Sequence, residues 1–161
     1  MAERDAQFDE EQGAEALPIM SGQAGHWVRR AHQVHNALWV STVSGAVTPS
    51  QFAVLSVLAE SPDVDQNAIS RGTSLDTSTT GAIVNRLAQR GLLEMRKDPA
   101  DLRRNLLTLS PQGQAEFREL AHRAAHMTEA YTDALSDAEK RQLVDLLKRV
   151  VEAGELAGDR A

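Results

Sequence analysis

Residues 91–113 read GLLEMRKDPADLRRNLLTLSPQG, from Gly91 to Gly113. Inside this stretch Leu92-Leu93-Glu94-Met95-Arg96 and Asn105-Leu106-Leu107-Thr108-Leu109 have the composition of two strands, joined by a polar loop from Lys97 to Arg104. Ser110-Pro111 then opens a helix. The serine hydroxyl can accept from an orphan amide, and proline fits the first helical position, where no N–H is needed.

Upstream of the hairpin the periodicity is helical. Asp76 can cap a helix running to Arg90 and closed by Gly91, with Ile83, Val84 and Leu87 on one side. Ser78, Thr79, Gly81, Ala82 and Asn85 lie toward the other. A turn, Thr73-Ser74-Leu75, separates it from a short helix over about Gln66 to Gly72, capped by Asp65 and anchored by Ile69. Before that, Thr48-Pro49 starts a helix whose inner face is Phe52, Leu55 and Leu58, and Ser61-Pro62 stops it. A longer helical pattern spans about Ser21 to Ser44, through Trp27, Val28, Ala31, Val34, Leu38 and Val43, and Gly45 ends it. Downstream, the helix after Pro111 continues to about Asp133, with Phe117, Leu120, Ala124 and Met127 on one side. Ser136-Asp137-Ala138-Glu139 is a capping box for a last helix with an apolar stripe of Leu143, Leu146, Leu147, Val150 and Val151.

Two short helices joined by a tight turn and followed at once by a hairpin make a winged helix-turn-helix. The expected fold is therefore mainly α with a small β-hairpin wing, in three parts. Residues 1–17 form a disordered acidic tail, 18–47 and 111–155 a helical dimerisation region, and 48–110 the winged DNA-binding lobe. The second helix of such a unit is narrow enough for the major groove, where its first side chains reach base edges. Ser78, Thr79 and Thr80 stand at its start, and its free amides favour phosphate.

Charge distribution agrees with this reading more than the net charge of −6 does. Residues 1–20 carry six acids against one arginine, whereas Val84 to Thr108 carries Arg86, Arg90, Arg96, Lys97, Arg103 and Arg104 against three acids. The chain has no cysteine, which removes disulfides, thiol nucleophiles and thiolate zinc sites. No apolar run approaches the roughly 20 residues of a membrane span. The acidic first residues resemble neither a secretory signal nor a transit peptide, so a cytoplasmic location is expected. No Gly-rich phosphate loop, nucleophile elbow or paired-carboxylate constellation is present, so no catalytic activity and no cofactor are expected. His32 and His35 are three apart, but no HExxH or paired cysteine accompanies them, and no metal site is expected.

These residues closely resemble the MarR family of repressors over roughly Gly25 to Ala153. Thr48-Pro49-Ser50-Gln51 matches a TPxQ helix start, and Val64-Asp65-Gln66 a hydrophobic-x-Gln step. LDTSTTGAIVNRL, from Leu75 to Leu87, matches the recognition stretch, and residues 91–113 match a DPxDxR wing with an LTxxG exit. The resemblance implies that Asp101 orients Arg103 toward DNA with Arg104 beside it, and that Arg86 contacts phosphate or braces its helix. With Gln66, Asn67, Ser78, Thr79, Thr80 and Lys97 these are the expected DNA-binding residues. Ala82 replaces the family's first recognition-helix arginine, so the wing arginines and DNA shape should matter more here. An exposed Gly81 would point to close backbone approach to DNA.

Family members act as two-fold dimers on pseudo-palindromic sites, and the terminal apolar stripes supply such an interface. The resemblance also implies an effector pocket between the dimer helices and the DNA-binding lobe. Trp27 and Arg30 share a helix face, Arg30 suits a carboxylate or phosphate, and His35 could join them. The expected function is a homodimeric repressor of duplex DNA, released by a small aromatic acid or its coenzyme A thioester. The alternative is an activator, or a regulator of a stress or efflux gene, with a different effector.

Overall fold

The computed structural model describes residues 22–158, with side chains through residue 154. The expected tail, 1–17, lies outside the described residues. The chain divides into two compact units between Val34 and His35. Its helices are α1 (Ala24–Leu38), α2 (Pro49–Glu60), α3 (Gln66–Thr73), α4 (Thr77–Gln89), α5 (Pro111–Tyr131) and α6 (Asp137–Gly158). The strands β1 (Leu93–Lys97) and β2 (Asn105–Leu109) stand between α4 and α5. Among the described residues no helix is long and apolar enough to cross a membrane.

The first helical pattern does not continue as one α-helix to Ser44. After Leu38 it widens into a π-helical turn, Trp39–Val43, in which the Ser44 amide reaches back five residues to the Trp39 carbonyl. The Ser41 and Thr42 hydroxyls both donate to the Leu38 carbonyl, at 3.1 and 2.7 Å. Hydroxyls that compete for a helix carbonyl favour such a bulge. It turns Trp39 and Val43 into the core. Trp39 is 3% exposed, and its indole N–H donates to the Val47 carbonyl at 2.6 Å.

α2 starts as expected and for a fuller reason. The Gln51 amide donates to Thr48 Oγ1 at 3.2 Å, and Gln51 Oε1 accepts from the Thr48 amide at 3.0 Å. This reciprocal pair lets the polar Gln51 be buried beside Val54, Leu55 and Leu58 without an unmet hydrogen bond. Phe52 is half-buried rather than fully inside, stacked on Phe117 and tilted against Trp39. Around α2 close Ile69 of α3, the inner face of α4, Leu92, Leu93, Leu107 and Leu109 of the hairpin region, and Leu120 and Met127 of α5.

The strands pair antiparallel in the register Leu93↔Leu109 to Lys97↔Asn105. β1 is therefore one residue later than the apolar pattern suggests, because Leu92 is spent on the connection from α4. Gly91 makes that connection with φ +73°, and the Leu92 amide returns to the Leu87 carbonyl. Val64 adds a single bridge to Leu107, so the wing is tied to the segment before α3. Ser110 secures the exit: it accepts from the Gly113 amide at 2.9 Å and donates to the Gly91 carbonyl at 2.6 Å.

Candidate nucleic-acid interface

Asp76 caps α4, as the sequence suggests, and its carboxylate orders the helix head. The Thr79 amide reaches one oxygen at 2.8 Å and the Thr79 hydroxyl the other at 2.5 Å. These bonds, the hydroxyl's first, hold the Asp76 carboxyl below the usual carboxylate range. Ser78 and Thr79 are exposed there. Thr80 is not, which corrects the expectation that it faces DNA. It is 0% exposed, and its hydroxyl donates to the Asp76 carbonyl at 2.9 Å. Position 80 precedes Val84 by four and Leu87 by seven, which places it on the inner stripe.

The outer stripe of α4 is Ser78, Ala82, Asn85 and Gln89, with Arg86 beside it, all exposed. Gly81 does not stand open on this face. A Cβ there would meet the Gln66 amide nitrogen at 3.0 Å, so the glycine makes room for α3. Gln66 in turn donates to the Thr77 carbonyl at 3.0 Å, joining the head of α3 to the head of α4. Ser74 takes a left-handed conformation, φ 52°, to turn the chain between the helices.

The wing tip is folded by its two aspartates. Asp98 accepts from the Ala100 amide at 2.8 Å and Asp101 from the Arg103 amide at 3.0 Å. The same Asp101 oxygen lies 3.3 Å from Arg103 Nε, and the arginine side chain is 93% exposed. Arg104 behaves differently. It donates to Asp65 at 2.7 Å and approaches Asp98 at 3.6 Å. Asp65 also caps α3 by accepting from the Ala68 amide at 2.8 Å. That amide bond, with Arg104 beside it, lowers the Asp65 carboxyl from its ordinary value.

The basic cluster of the sequence is thus divided. Arg90 is paired with Glu116 at 3.1 Å, Arg96 with Asp63 at 3.0 Å, and Arg104 with Asp65. Arg86 and Lys97 are exposed and appear in no ion pair among the described residues. Arg103 pairs only with Asp101 inside the wing itself.

A groove of about 440 Å³ runs between the head of α3, the middle of α4 and the wing. It brings together the expected residues Gln66, Asn67, Arg103 and Arg104, and adds Asn85 and Asn105. Neither asparagine is in the expected set, although the outer position of Asn85 is readable from the α4 periodicity. Ser78, Thr79, Arg86 and Lys97 are not part of the groove lining.

The three expected effector residues are placed as follows. Trp27 is 54% exposed, and Arg30 Cζ lies 5.8 Å from its ring centroid. In the second unit, His35 lies against Trp39 and Tyr131, with ring centroids 6.2 and 6.1 Å apart.

Known proteins share this arrangement. The MarR family profile matches residues 47–104, from the turn before α2 through the wing tip. The HTH-type transcriptional repressor NicR of Pseudomonas putida is 28% identical over 137 residues, 84% of this chain and 87% of its own length. The PcaV transcriptional regulator of Streptomyces coelicolor, solved in complex with its natural ligand, superposes with a TM-score of 0.83. It is 37% identical, and the match covers 86% of this chain and 99% of PcaV. BpsR of Bordetella bronchiseptica, whose DNA binding is regulated by 6-hydroxynicotinic acid, superposes with a TM-score of 0.78 at 34% identity, covering 81% and 94%. The profile match spans the helix-turn-helix and most of the wing and the relatives match over most of the chain, and the chain belongs to the MarR family of transcription regulators.

Proposed function

We propose that this regulator is a cytoplasmic repressor that binds pseudo-palindromic duplex DNA as a homodimer and is released by a small aromatic acid or its coenzyme A thioester. The observation that carries the reading is the outer face of α4. Small and amide side chains line it, its head is ordered by the Asp76 cap, and the exposed wing arginine, Arg103, lines the groove beside it. A helix so lined can approach base edges closely, with amides suited to adenine and the wing arginine to the backbone. Arg103→Ala tests this: affinity should fall across many duplexes with the folded state intact, and unchanged affinity would remove the wing from the interface.

α6 supports the homodimer. Every residue from Arg141 to Gly154 is exposed, including Leu143, Val144, Leu146, Leu147, Val150 and Val151. An apolar stripe of that length requires cover in water, and the same stripe of a second copy supplies it by two-fold symmetry. Two lobes so joined would read half-sites about one helical turn apart.

The effector class is supported by Arg30 and Trp27. A guanidinium beside an indole can take a carboxylate through two N–H donors while the indole covers an aromatic ring. Regulation of BpsR by a heteroaromatic acid points to the same chemistry. Thermal-shift screening of aromatic acids and their thioesters tests the class, since a ligand of the native state raises stability by mass action. Arg30→Ala should abolish both the shift and release from DNA while sparing DNA binding; intact release would remove Arg30 from the site.

A further inference from the structure

α5 carries a pair of histidines that the DNA and effector readings leave unused. His122 and His126 are four residues apart in the interior of this 21-residue helix, so they share a face one turn apart. Both are exposed. Their Nε2 atoms approach to 3.3 Å, with ring centroids 4.5 Å apart and planes at 73°. At this separation one ring donates its Nε2–H to the other's Nε2 lone pair.

The same separation suits a chelate. Two imidazole nitrogens about 2.0–2.1 Å from one ion, at roughly the tetrahedral angle, lie about 3.3–3.4 Å apart. The helix therefore already holds both nitrogens at the required bite, and no loop must be ordered to form it. The neighbouring carboxylates are engaged elsewhere. Glu119 lies 3.8 Å from Arg123, and Glu129 lies 3.0 Å from Lys140 of α6. Among the described residues no third histidine or carboxylate completes a metal-binding group.

We propose that His122 and His126 form an exposed two-nitrogen site for a divalent transition cation of the zinc, nickel or copper(II) class. Magnesium and calcium, which take oxygen ligands, are excluded by the donors. Each ring binds through Nε2 and keeps its proton on Nδ1, so the ion takes the place of the shared inter-ring proton. Water, or a donor from another molecule, fills the remaining positions. Acid competes with the ion for the same lone pairs. Bound, the ion clamps one turn of α5 and stabilises the native state by mass action.

The test uses the untagged full-length chain, stripped with chelator and titrated with zinc or nickel chloride by calorimetry. Copper(II) is followed by electron paramagnetic resonance. One ion per chain, nitrogen hyperfine structure from two imidazoles, and a thermal shift absent with magnesium are expected. His122→Ala and His126→Ala should each weaken binding by at least the roughly 10–100-fold that loss of a mere supporting partner costs. Far-UV circular dichroism of both variants should match the parent, because the side chains are exposed. His32→Ala, which breaks the other closely spaced pair, should leave affinity unchanged. The proposal is overturned by no uptake at millimolar ion, by uptake that survives the double substitution, or by uptake lost with His32→Ala.

Discussion

Asp65 joins α3 to the wing: one carboxylate oxygen accepts from the Ala68 amide at 2.8 Å, and the other accepts from Arg104 at 2.7 Å. The two groups are 39 residues apart from Asp65 to Arg104, so this contact fixes the wing against the helix-turn-helix. It also makes Arg104 chiefly a brace. Asp65→Ala should lose both bonds and destabilise the fold by about 1–2 kcal/mol, the upper range for removing a helix cap. Asp65→Asn keeps a good cap and should lose less than half of that. Denaturant midpoints of the three proteins check the order; equal losses for the two variants would show that the ion pair dominates the cap.

Acid should weaken the same corner. The carboxyls of Asp65 and Asp76 are both held below the ordinary range, by the Ala68 amide and by Thr79 respectively. Folded carboxyls that resist protonation leave the unfolded chain to bind protons first. Their stabilisation is complete above the unfolded value of about 3.9 and is lost as pH falls below it toward the folded values. Melting temperature measured from pH 7 to 3 should therefore drop more steeply below about pH 4 in the parent than in Asp65→Asn or Asp76→Asn.

Two glycines separate a tight contact from a forgiving one. A Cβ on Gly113 would lie 2.0 Å from the Leu92 carbonyl oxygen and 2.9 Å from its carbon, both backbone atoms. Gly113→Ala must move the start of α5 away from the hairpin, and should cost about 3 kcal/mol, as severe overpacking does. At Gly81 the obstacle is the Gln66 amide at 3.0 Å, the end of a flexible side chain. There the gain in helix propensity, about 1 kcal/mol, offsets the displaced Gln66 bond, so Gly81→Ala should be near neutral. Thermal unfolding of both variants distinguishes the two cases.

The α6 stripe carries the dimer in this account. Leu147→Glu places a charge in the middle of it, and burying an unpaired carboxylate is strongly unfavourable. Sedimentation at micromolar concentration should show the parent as a dimer and this variant as a monomer. A parent that sediments as a monomer, or a variant that remains dimeric, would move the interface elsewhere.

Much of the fold was legible because its punctuation is local. Asp65, Asp76 and Ser110 cap where expected, Pro49 and Pro111 open their helices, and Gly91 closes α4. The misplacements share a different origin. The π-helical turn adds a residue to the repeat, so Trp39, which the simple helical pattern leaves out, enters the core. Thr80 shares the helix start with Ser78 and Thr79, yet its spacing to Val84 and Leu87 puts it inside. The pairing of Arg104 with Asp65, and the packing of Gly81 against Gln66, depend on tertiary contacts that no local pattern encodes.

The central claim is that the outer face of α4, with Arg103 beside it, binds duplex DNA. The most direct test is an electrophoretic mobility shift with DNA flanking the chain's own gene, repeated across a salt series. The account predicts a discrete shifted species whose affinity falls linearly on log–log axes, each phosphate contact steepening the slope by about 0.9. Arg103→Ala should make that slope shallower by about 1. No shifted species with any such duplex at low salt, or binding insensitive to salt, would contradict it.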